Sequence, residues 1–329
     1  MEDKMKAIAV KTGDQLEELD LPLPELFELD LLIEVKAIGL NPVDTKVRKQ
    51  QHSPAQPKIL GWDASGIVKA IGKKVSRFSI GDEVYYSGDI HRQGCNAEYQ
   101  VVDERLVALK PSLLSFTEAA ALPLTSLTAY EGLYNHLALN SQSSHEFLLV
   151  IGGAGGVGSM VIQLARLIPS LKIVASASRP SSQKACIESG ADEVIDHPLK
   201  ISNPQLISRF NYIFCTQSTD IYFYPMTNLI APFGKIVCIV ESTLPFNLEV
   251  LKNKSASFAW EFMFTRSLYQ IEMEKQGEIL SKVAHLVDRR SIRVPPIQIL
   301  TGFNIENVIQ GHQLLETGKT IGKIVIEMG

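Results

Sequence analysis

The sequence predicts an α/β protein made of a β-rich module and a doubly wound parallel sheet. Two observations predict it. From Lys172 onward, strand-like apolar runs alternate with helical stretches, which implies a parallel sheet with helices on both faces. Before about residue 112 the chain instead carries short strand-like runs punctuated by Gly, Asp and Ser, the pattern of a barrel or sandwich. A length of 329 residues suffices for two such cores, and 45% hydrophobic with 21% charged residues is ordinary for a globular chain.

Along the chain, residues 5–10 and 32–38 read as strands, the second alternating across Glu34 and Lys36. Residues 66–72, 82–86, 97–102 and 106–109 continue the β-rich module. Near Ser115 the character changes. Residues 117–123 form a short helical piece stopped by Pro123, and the spacing of Leu127, Tyr130, Leu133, Tyr134 and Leu137 predicts a helix over 126–139. Strands at 147–151, 172–178, 193–195, 212–216 and 235–240 then alternate with helices around 182–189, 205–209 and 225–231. After Phe258 come a long amphipathic helix over 267–289, an extended piece at 295–299, a helix over 305–316 and a terminal strand over 321–327. So β-branched a terminal strand needs a sheet to join. It is expected to return to the first module, with domain boundaries at 1–123 plus 260–329 and at 124–259.

The stretch 147–166 carries the strongest motif. After the apolar run 147–151, Gly153, Gly155 and Gly158 form G-x-G-x-x-G, with Gly156 and Val157 inside it, and a helix pattern follows. The first glycine permits a tight turn, the second lets a pyrophosphate approach the backbone, and the third lets helix and strand pack closely. Phosphates are favoured at the helix N-terminus by its free N–H groups and dipole. This context implies a dinucleotide site. An acid about twenty residues later binds the ribose diol of NAD. Here that position is Ser178, and the segment holds Ser176, Ser178 and Arg179 with no acid, while Lys184 lies shortly beyond. A guanidinium beside hydroxyls suits a 2′-phosphate, so NADPH is the expected cofactor. Thr216, at the end of the 212–216 strand, is a further expected cofactor contact.

The formal net charge of −4 offers nothing to nucleic acid or an anionic membrane, and no apolar run approaches 18 residues. Four scattered cysteines (Cys95, Cys186, Cys215, Cys238), with no C-x-x-C and no apolar leader at the N-terminus, point to the cytoplasm.

Several short motifs resemble one family: Gly39-Leu-Asn-Pro-Val-Asp-Thr45, Gly61-Trp-Asp-Ala-Ser-Gly66, Gly81-Asp-Glu-Val-Tyr85, Asn96-Ala-Glu-Tyr99, Leu122-Pro-Leu-Thr-Ser-Leu-Thr-Ala-Tyr130, Ala154-Gly-Gly-Val-Gly158, the run 258–266 and Ile321-Gly-Lys-Ile-Val325. In order and spacing they resemble the medium-chain dehydrogenase/reductases, in the quinone oxidoreductase branch, and within it the bacterial zinc-type alcohol dehydrogenase-like proteins. The resemblance implies a GroES-like catalytic domain formed by both chain ends around a central Rossmann domain, and a homodimer paired through edge strands of the Rossmann sheets. It also implies that Asn41, Asp44 and Thr128 line the nicotinamide and substrate cleft, with Tyr130 near the cofactor. On chemistry, the Asn41 amide is expected to donate to a substrate oxygen and Thr128 to bond the nicotinamide ribose or amide. Asp44 reads as an anchor for neighbours such as Lys46 or Arg48 rather than as a proton donor, and Asp63 as more structural than catalytic. Tyr85 and Tyr86 read as core more than as phenol donors, and Cys95 has nothing nearby to lower its pKa. The run 260–264 suits either an apolar wall for a flat substrate or interdomain packing.

Zinc-dependent relatives place a Cys where this chain has Asn41 and a His-Glu pair in the segment matching Gly61-Trp62-Asp63. Catalytic zinc needs three N, S or O ligands, so no zinc is expected; His52 and His91 read as solvated loop residues. Without a Lewis acid, reduction of a simple ketone leaves a basic alkoxide unsupported. Hydride addition to a quinone or enone spreads the charge instead. The expected function is therefore an NADPH-dependent, zinc-independent reductase of quinones or α,β-unsaturated carbonyls. The alternatives are a zinc-type alcohol dehydrogenase and a non-catalytic NADPH-binding, redox-sensing protein.

Overall fold

In the computed structural model, residues 4–50, 56–140, 145–197, 199 and 204–329 are described. The chain divides into a unit of Met1–Leu124 with Phe264–Gly329 and a unit of Thr125–Met263.

The first unit begins with strands Lys4–Thr12 (β1), Gln15–Pro22 (β2) and Asp30–Leu40 (β3) and helix Pro42–Gln50 (α1). Strands Lys58–Ile59 (β4), Asp63–Ile71 (β5), Glu83–Ser87 (β6), Tyr99–Asp103 (β7) and Val107–Leu109 (β8) and helix Phe116–Ala120 (α2) follow. Helix Pro123–Tyr130 (α3) then leads into the second unit. There the elements are strand Phe147–Ile151 (β9), helix Gly156–Ala165 (α4), strand Lys172–Ser176 (β10), helix Pro180–Ser189 (α5), and strands Glu193–Ile195 (β11) and Phe210–Cys215 (β12). Helix Thr219–Leu229 (α6) and strands Ile230–Cys238 (β13) and Ser257–Trp260 (β14) complete it. The chain re-enters the first unit with helices Thr265–Tyr269 (α7) and Glu274–Asp288 (α8), strand Ile297–Thr301 (β15), helix Ile305–Glu316 (α9) and strand Lys323–Glu327 (β16).

In the first unit, β3 is the organising strand. Its first half alternates, with Leu31, Ile33 and Val35 buried, and from Ala37 to Leu40 every residue is buried. That burial fits its place in the larger sheet, ordered β15-β16-β3-β5-β6-β8, with β7 also pairing to β3. Register brings three distant segments together at the end of β3. Gly39 stands opposite Asp63 of β5, and Leu40 stands opposite Ile324 of β16.

The second unit is a parallel sheet ordered β11-β10-β9-β12-β13-β14. From β9 the chain passes to β10 on one side and later to β12 on the other. A ligand crevice in such a sheet lies at the carboxyl ends of the strands where the order reverses, which here means the ends of β9, β10 and β12. Leu149, Ile151, Val174, Phe210 and Ile213 belong to the buried apolar cluster under that edge.

Several expected elements change form. The helix expected over 267–289 is two helices, α7 and α8, separated where Gln270 and Glu272 take φ of 53° and 46°. Tyr269 and Ile271, on either side of Gln270 at that break, are 67% and 60% exposed. Pro123 opens α3 rather than stopping the helix before it, since a first-turn proline has no N–H to lose. After Tyr130 that helix widens into a π-turn, Glu131–His136. The helix expected around 225–231 spans Thr219–Leu229 with Pro225 inside, and Ile230 and Ala231 start β13. The one around 205–209 is a single 3-10 turn, Pro204–Leu206. The strands β2 and β14 and the helix α1 carry no period strong enough to announce them.

Candidate functional site

The glycine turn joins β9 to α4. Gly152, just before the motif, takes φ of +82°, so the left-handed turn expected of Gly153 belongs to its neighbour. Gly153 is constrained by packing instead: a Cβ there would stand 2.8 Å from Ala175 Cβ and 2.9 Å from Cys186 Sγ. At Gly158 a Cβ would collide with Gly152 O and sit 2.8 Å from Gly153 Cα, which is the close strand–helix approach. Gly155 differs from both. A Cβ there would meet only Gly152 O, at 3.7 Å, so its backbone faces open room. Gly155 is the N-cap of α4 without any side-chain cap, and Gly155, Gly156 and Val157 are half-buried. An uncapped helix start beside open backbone fits a pyrophosphate, which the N–H groups and dipole would hold.

Side chains from neighbouring strand ends brace the turn. The Thr216 hydroxyl donates to Ile151 O at 2.8 Å and Gly152 O at 3.2 Å, which commits its hydrogen to the turn rather than to a ligand. Ser176, expected beside the 2′-phosphate, is buried and accepts from Gly152 N at 3.1 Å. Its hydroxyl also bonds His197 Nε2 at 3.2 Å, and His197 Nδ1 bonds the Tyr222 hydroxyl at 2.8 Å. Burial holds the His197 pKa below the ordinary imidazole value. His197 escaped sequence reasoning because it follows β11 in a polar loop with no motif around it. Ser178 is exposed and Arg179, half-buried, is the N-cap of α5, both just past β10. Lys184 lies 3.7 Å from Glu188 on the exposed face of α5. Thr128 is buried on α3, and the Tyr130 ring lies 4.6 Å from that of Tyr134.

In the first unit, Asn41 and Asp44 belong to a buried charge cluster. Lys323 Nζ, on a side chain only 3% exposed, donates to Leu40 O at 3.0 Å, Asn41 Oδ1 at 2.5 Å and Asp63 Oδ2 at 3.0 Å. Asn41 Nδ2 donates to Asp63 Oδ2 at 2.9 Å and Gly39 O at 3.2 Å. Both amide hydrogens are thereby taken, so the expected donation to a substrate oxygen gives way to a positioning role. Asp63 Oδ1 accepts from Leu124 N at 2.6 Å, near the start of α3, which agrees with a structural Asp63. Asp44 Oδ2 accepts from Asn41 N at 2.8 Å and caps α1. Its other oxygen is buried with no hydrogen-bond partner, and burial pushes its pKa up to about 7. Arg48, an expected partner of Asp44, pairs with Glu316 at 3.1 Å and His312 at 3.1 Å instead. The sequence signal for Lys323 was its place in the 321–325 motif, but nothing there tied it to Asn41.

The remaining expectations resolve as packing. Tyr85 and Tyr86 are buried, their hydroxyls donating to Leu280 O at 2.5 Å and Gln100 Oε1 at 2.8 Å. Burial pushes the Cys95 thiol up, and its Sγ lies 3.3 Å from Asp63 O. In the run 260–264, Trp260 and Phe262 are exposed while Glu261 is buried, 2.9 Å from His136 Nε2. Burial holds the Glu261 carboxyl above the ordinary range, and that carboxyl in turn raises His136. His91 is exposed, and His52 lies outside the described residues.

Comparison with known proteins places this geometry. The family described as "Alcohol dehydrogenase GroES-like domain" matches residues 28–112, and that described as "Zinc-binding dehydrogenase" matches 189–326. A zinc-type alcohol dehydrogenase-like protein of Staphylococcus epidermidis is 39% identical over 98% of this chain and 100% of its own length. The 2-methylene-furan-3-one reductase of Solanum lycopersicum is 34% identical over 94% of this chain and 74% of its own. The chloroplastic NADPH-dependent alkenal/one oxidoreductase of Arabidopsis thaliana is 30% identical over 94% and 75%. The crystal structure of a zinc-dependent alcohol dehydrogenase-type protein from Rhizobium etli CFN 42 superposes with a TM-score of 0.93 at 38% identity, covering 100% of this chain and 99% of that one.

Those names imply a zinc ion, and the donor set does not fit one. Asn41 Oδ1 and Asp63 Oδ2 already hold an ammonium, and Trp62 Nε1 donates to Asp89 O at 3.0 Å. Among the described residues no group of three or more His, Cys, Asp or Glu side chains is disposed to hold a metal. The glycine turn, by contrast, fits a nicotinamide dinucleotide. With a relative 39% identical over nearly its whole length and two matching domain families, the chain is a member of the medium-chain dehydrogenase/reductase superfamily of oxidoreductases.

Proposed function

We propose that the protein is an NADPH-dependent, zinc-independent reductase that delivers hydride to a quinone or an α,β-unsaturated carbonyl compound. The observation that carries this reading is the buried Lys323–Asn41–Asp63 cluster, whose oxygens are already bound to an ammonium. Oxygens engaged with an ammonium offer little to a Lewis-acid metal, and chemistry without one favours substrates whose own conjugation takes up the negative charge. The plant relatives support it, since one is named for an exocyclic enone and the other for alkenals and alkenones.

NADPH supplies the hydride when bound. The chain's part is to hold and orient. The uncapped start of α4 with Gly155, Gly156 and Val157 would take the pyrophosphate. Ser178 and Arg179 would take the 2′-phosphate, a guanidinium being suited to bidentate bonding. Thr128 and Tyr130 are assigned to the nicotinamide end, and Asn41 and Asp44 to ordering the substrate side. A homodimer is proposed through β14, the outer strand of the parallel sheet, where Trp260 and Phe262 are exposed. No helix among the described residues is long and apolar enough to cross a membrane, and four buried thiols without a disulfide suit the cytoplasm.

The test is a spectrophotometric panel of quinones, enones and the matching saturated ketones with NADPH, with and without a chelator. Chelator-insensitive turnover confined to the conjugated substrates is expected. Chelator-sensitive reduction of the simple saturated ketones, or tight NADPH binding without turnover on any of the substrates, would overturn the proposal. For the cofactor, kcat/KM is expected to favour NADPH over NADH in the wild type, and that preference to collapse in Arg179→Ala. Equal preference in both proteins would refute the assignment.

A further inference from the structure

We propose that Glu131 and Glu261 share one proton at the nicotinamide end of the second unit, and that the pair releases this proton when the bound nicotinamide ring is positively charged. This rests on the dinucleotide reading of the glycine turn. Glu261 is the first residue after β14, at a carboxyl end of the parallel sheet. A dinucleotide lies across those ends. With its pyrophosphate at the start of α4 and its 2′-phosphate beside β10, the nicotinamide half falls on the side of β12, β13 and β14. Glu131 follows Tyr130 directly and opens the π-turn, where Leu137 N donates to Gly132 O, five residues back. That wider turn sets Glu131 and His136, also five apart, on one side, and both meet Glu261.

Glu131 and Glu261 are only 6% and 4% exposed, and their carboxyls are hydrogen-bonded to each other. Two carboxyls in contact away from water cannot both be ionised, so a proton is held between them. The hydrogen bonds agree: Glu261 Oε2 lies 2.9 Å from His136 Nε2, while Oε1 is buried without a donor unless its neighbour is protonated. The His136 side chain is 34% exposed and gives the proton a way to water. The charged groups acting on Glu261 are Glu131 and His136, and those acting on His136 are the two glutamates. Burial chiefly, with Glu131 adding to it, pushes Glu261 up to about 7 against the pull of His136, so the exchange falls near neutral pH. A nicotinamide ring is neutral when reduced and carries one positive charge when oxidised. A positive charge nearby favours the ionised carboxyl, and by reciprocity the ionised pair favours the oxidised cofactor.

The test is binding, not turnover. Dissociation constants for NADP+ and NADPH are measured by calorimetry on the wild type through the neutral pH range. The 2′-phosphate titrates alike in both, so their ratio isolates the ring charge. The affinity for NADP+ relative to NADPH is expected to rise several-fold with pH. That dependence is expected to be largely lost in Glu131→Gln/Glu261→Gln, which keeps the shape and a hydrogen bond without the proton. It is expected to persist in His136→Gln, which keeps the pair. On the wild type, exchanging NADPH for NADP+ is expected to remove the infrared carbonyl band of a protonated carboxyl, a readout that stands even if the double variant does not fold. A ratio constant with pH, a dependence that survives the double variant, or no change in the carboxyl band would each overturn the shared proton's role. Failure to bind either form would remove the dinucleotide reading and this inference with it, whereas binding of both at a constant ratio would sink this inference alone.

Discussion

Asp44 makes the sharpest prediction, because its carboxyl is wholly buried and only one of its oxygens has a hydrogen-bond partner. Burial is the main reason its pKa rises from 3.8 to about 7; the Asn41 N–H and the Lys323 charge oppose the shift, and Asp63 adds to it. A carboxyl whose folded pKa lies above its unfolded value binds its proton more tightly in the folded chain. Its contribution to stability is thus fully present below about pH 4 and is lost as pH rises towards 7. At 1.36 kcal/mol per unit, the interval from 3.8 to about 7 amounts to on the order of 4 kcal/mol at most. Asp44→Asn removes the titration while keeping an oxygen for the Asn41 N–H and an N–H where the protonated acid carries its O–H. The variant is therefore expected to match the wild type near pH 4 and to exceed it in stability at pH 8. Urea denaturation between these pH values is the assay. With Trp260 changed to Phe in both proteins, Trp62 of the first unit is the remaining tryptophan and reports that unit. The difference between variant and wild type should grow with pH. A difference that is flat with pH, or a wild type that gains on the variant as pH rises, would refute a protonated, desolvated Asp44.

The glycines of the turn should separate folding from binding. Gly158→Ala forces a Cβ against Gly152 O and should cost roughly 1–3 kcal/mol of stability, read by thermal unfolding. Gly155→Ala meets no protein atom closer than 3.7 Å, so it should fold normally and lose NADPH affinity, read by cofactor fluorescence. Tyr85→Phe leaves Leu280 O without its hydroxyl donor and should cost about 1–3 kcal/mol without changing kcat. In Glu261→Gln, the His136 pKa should fall, because the buried carboxyl is the first cause of its rise; an NMR titration of the ring reads it.

Much of the fold was legible because hydrophobic period and turn chemistry agreed with it. The β9–α4 junction shows why: an apolar strand, glycines and a 3.6-residue period each had one reading. Legibility failed where two periods or two roles were compatible with the same residues. The amphipathic pattern over 267–289 runs across a break made by Gln270 and Glu272, neither of which is a residue expected at positive φ. Strand β2 breaks its alternation at Glu17-Glu18 and is only partly buried, so its pairing to β1 rather than its own pattern makes it a strand.

The site was harder to read than the fold because its chemistry depends on where hydrogens go. From residue type alone, Asn41 is a donor, Thr216 a cofactor contact and Ser176 a phosphate ligand. Each assignment assumes a free polar atom. The hydrogen bonds show those atoms committed, to Asp63 and Gly39 in the first case and to the glycine turn in the others. What sequence reasoning lacked was the partner, and the partner came from far along the chain: Lys323 lies 282 positions from Asn41. Short-range motifs carry no record of such a pairing. Register does, since Leu40 faces Ile324 across one ladder while Gly39 faces Asp63 across the other. Once that register is known, a lysine one residue before Ile324 has little choice but to bring its charge to the end of β3. The Asp63 carboxyl, fully buried, depends on that positive charge beside it, and the charge comes from a strand whose partner only the register reveals.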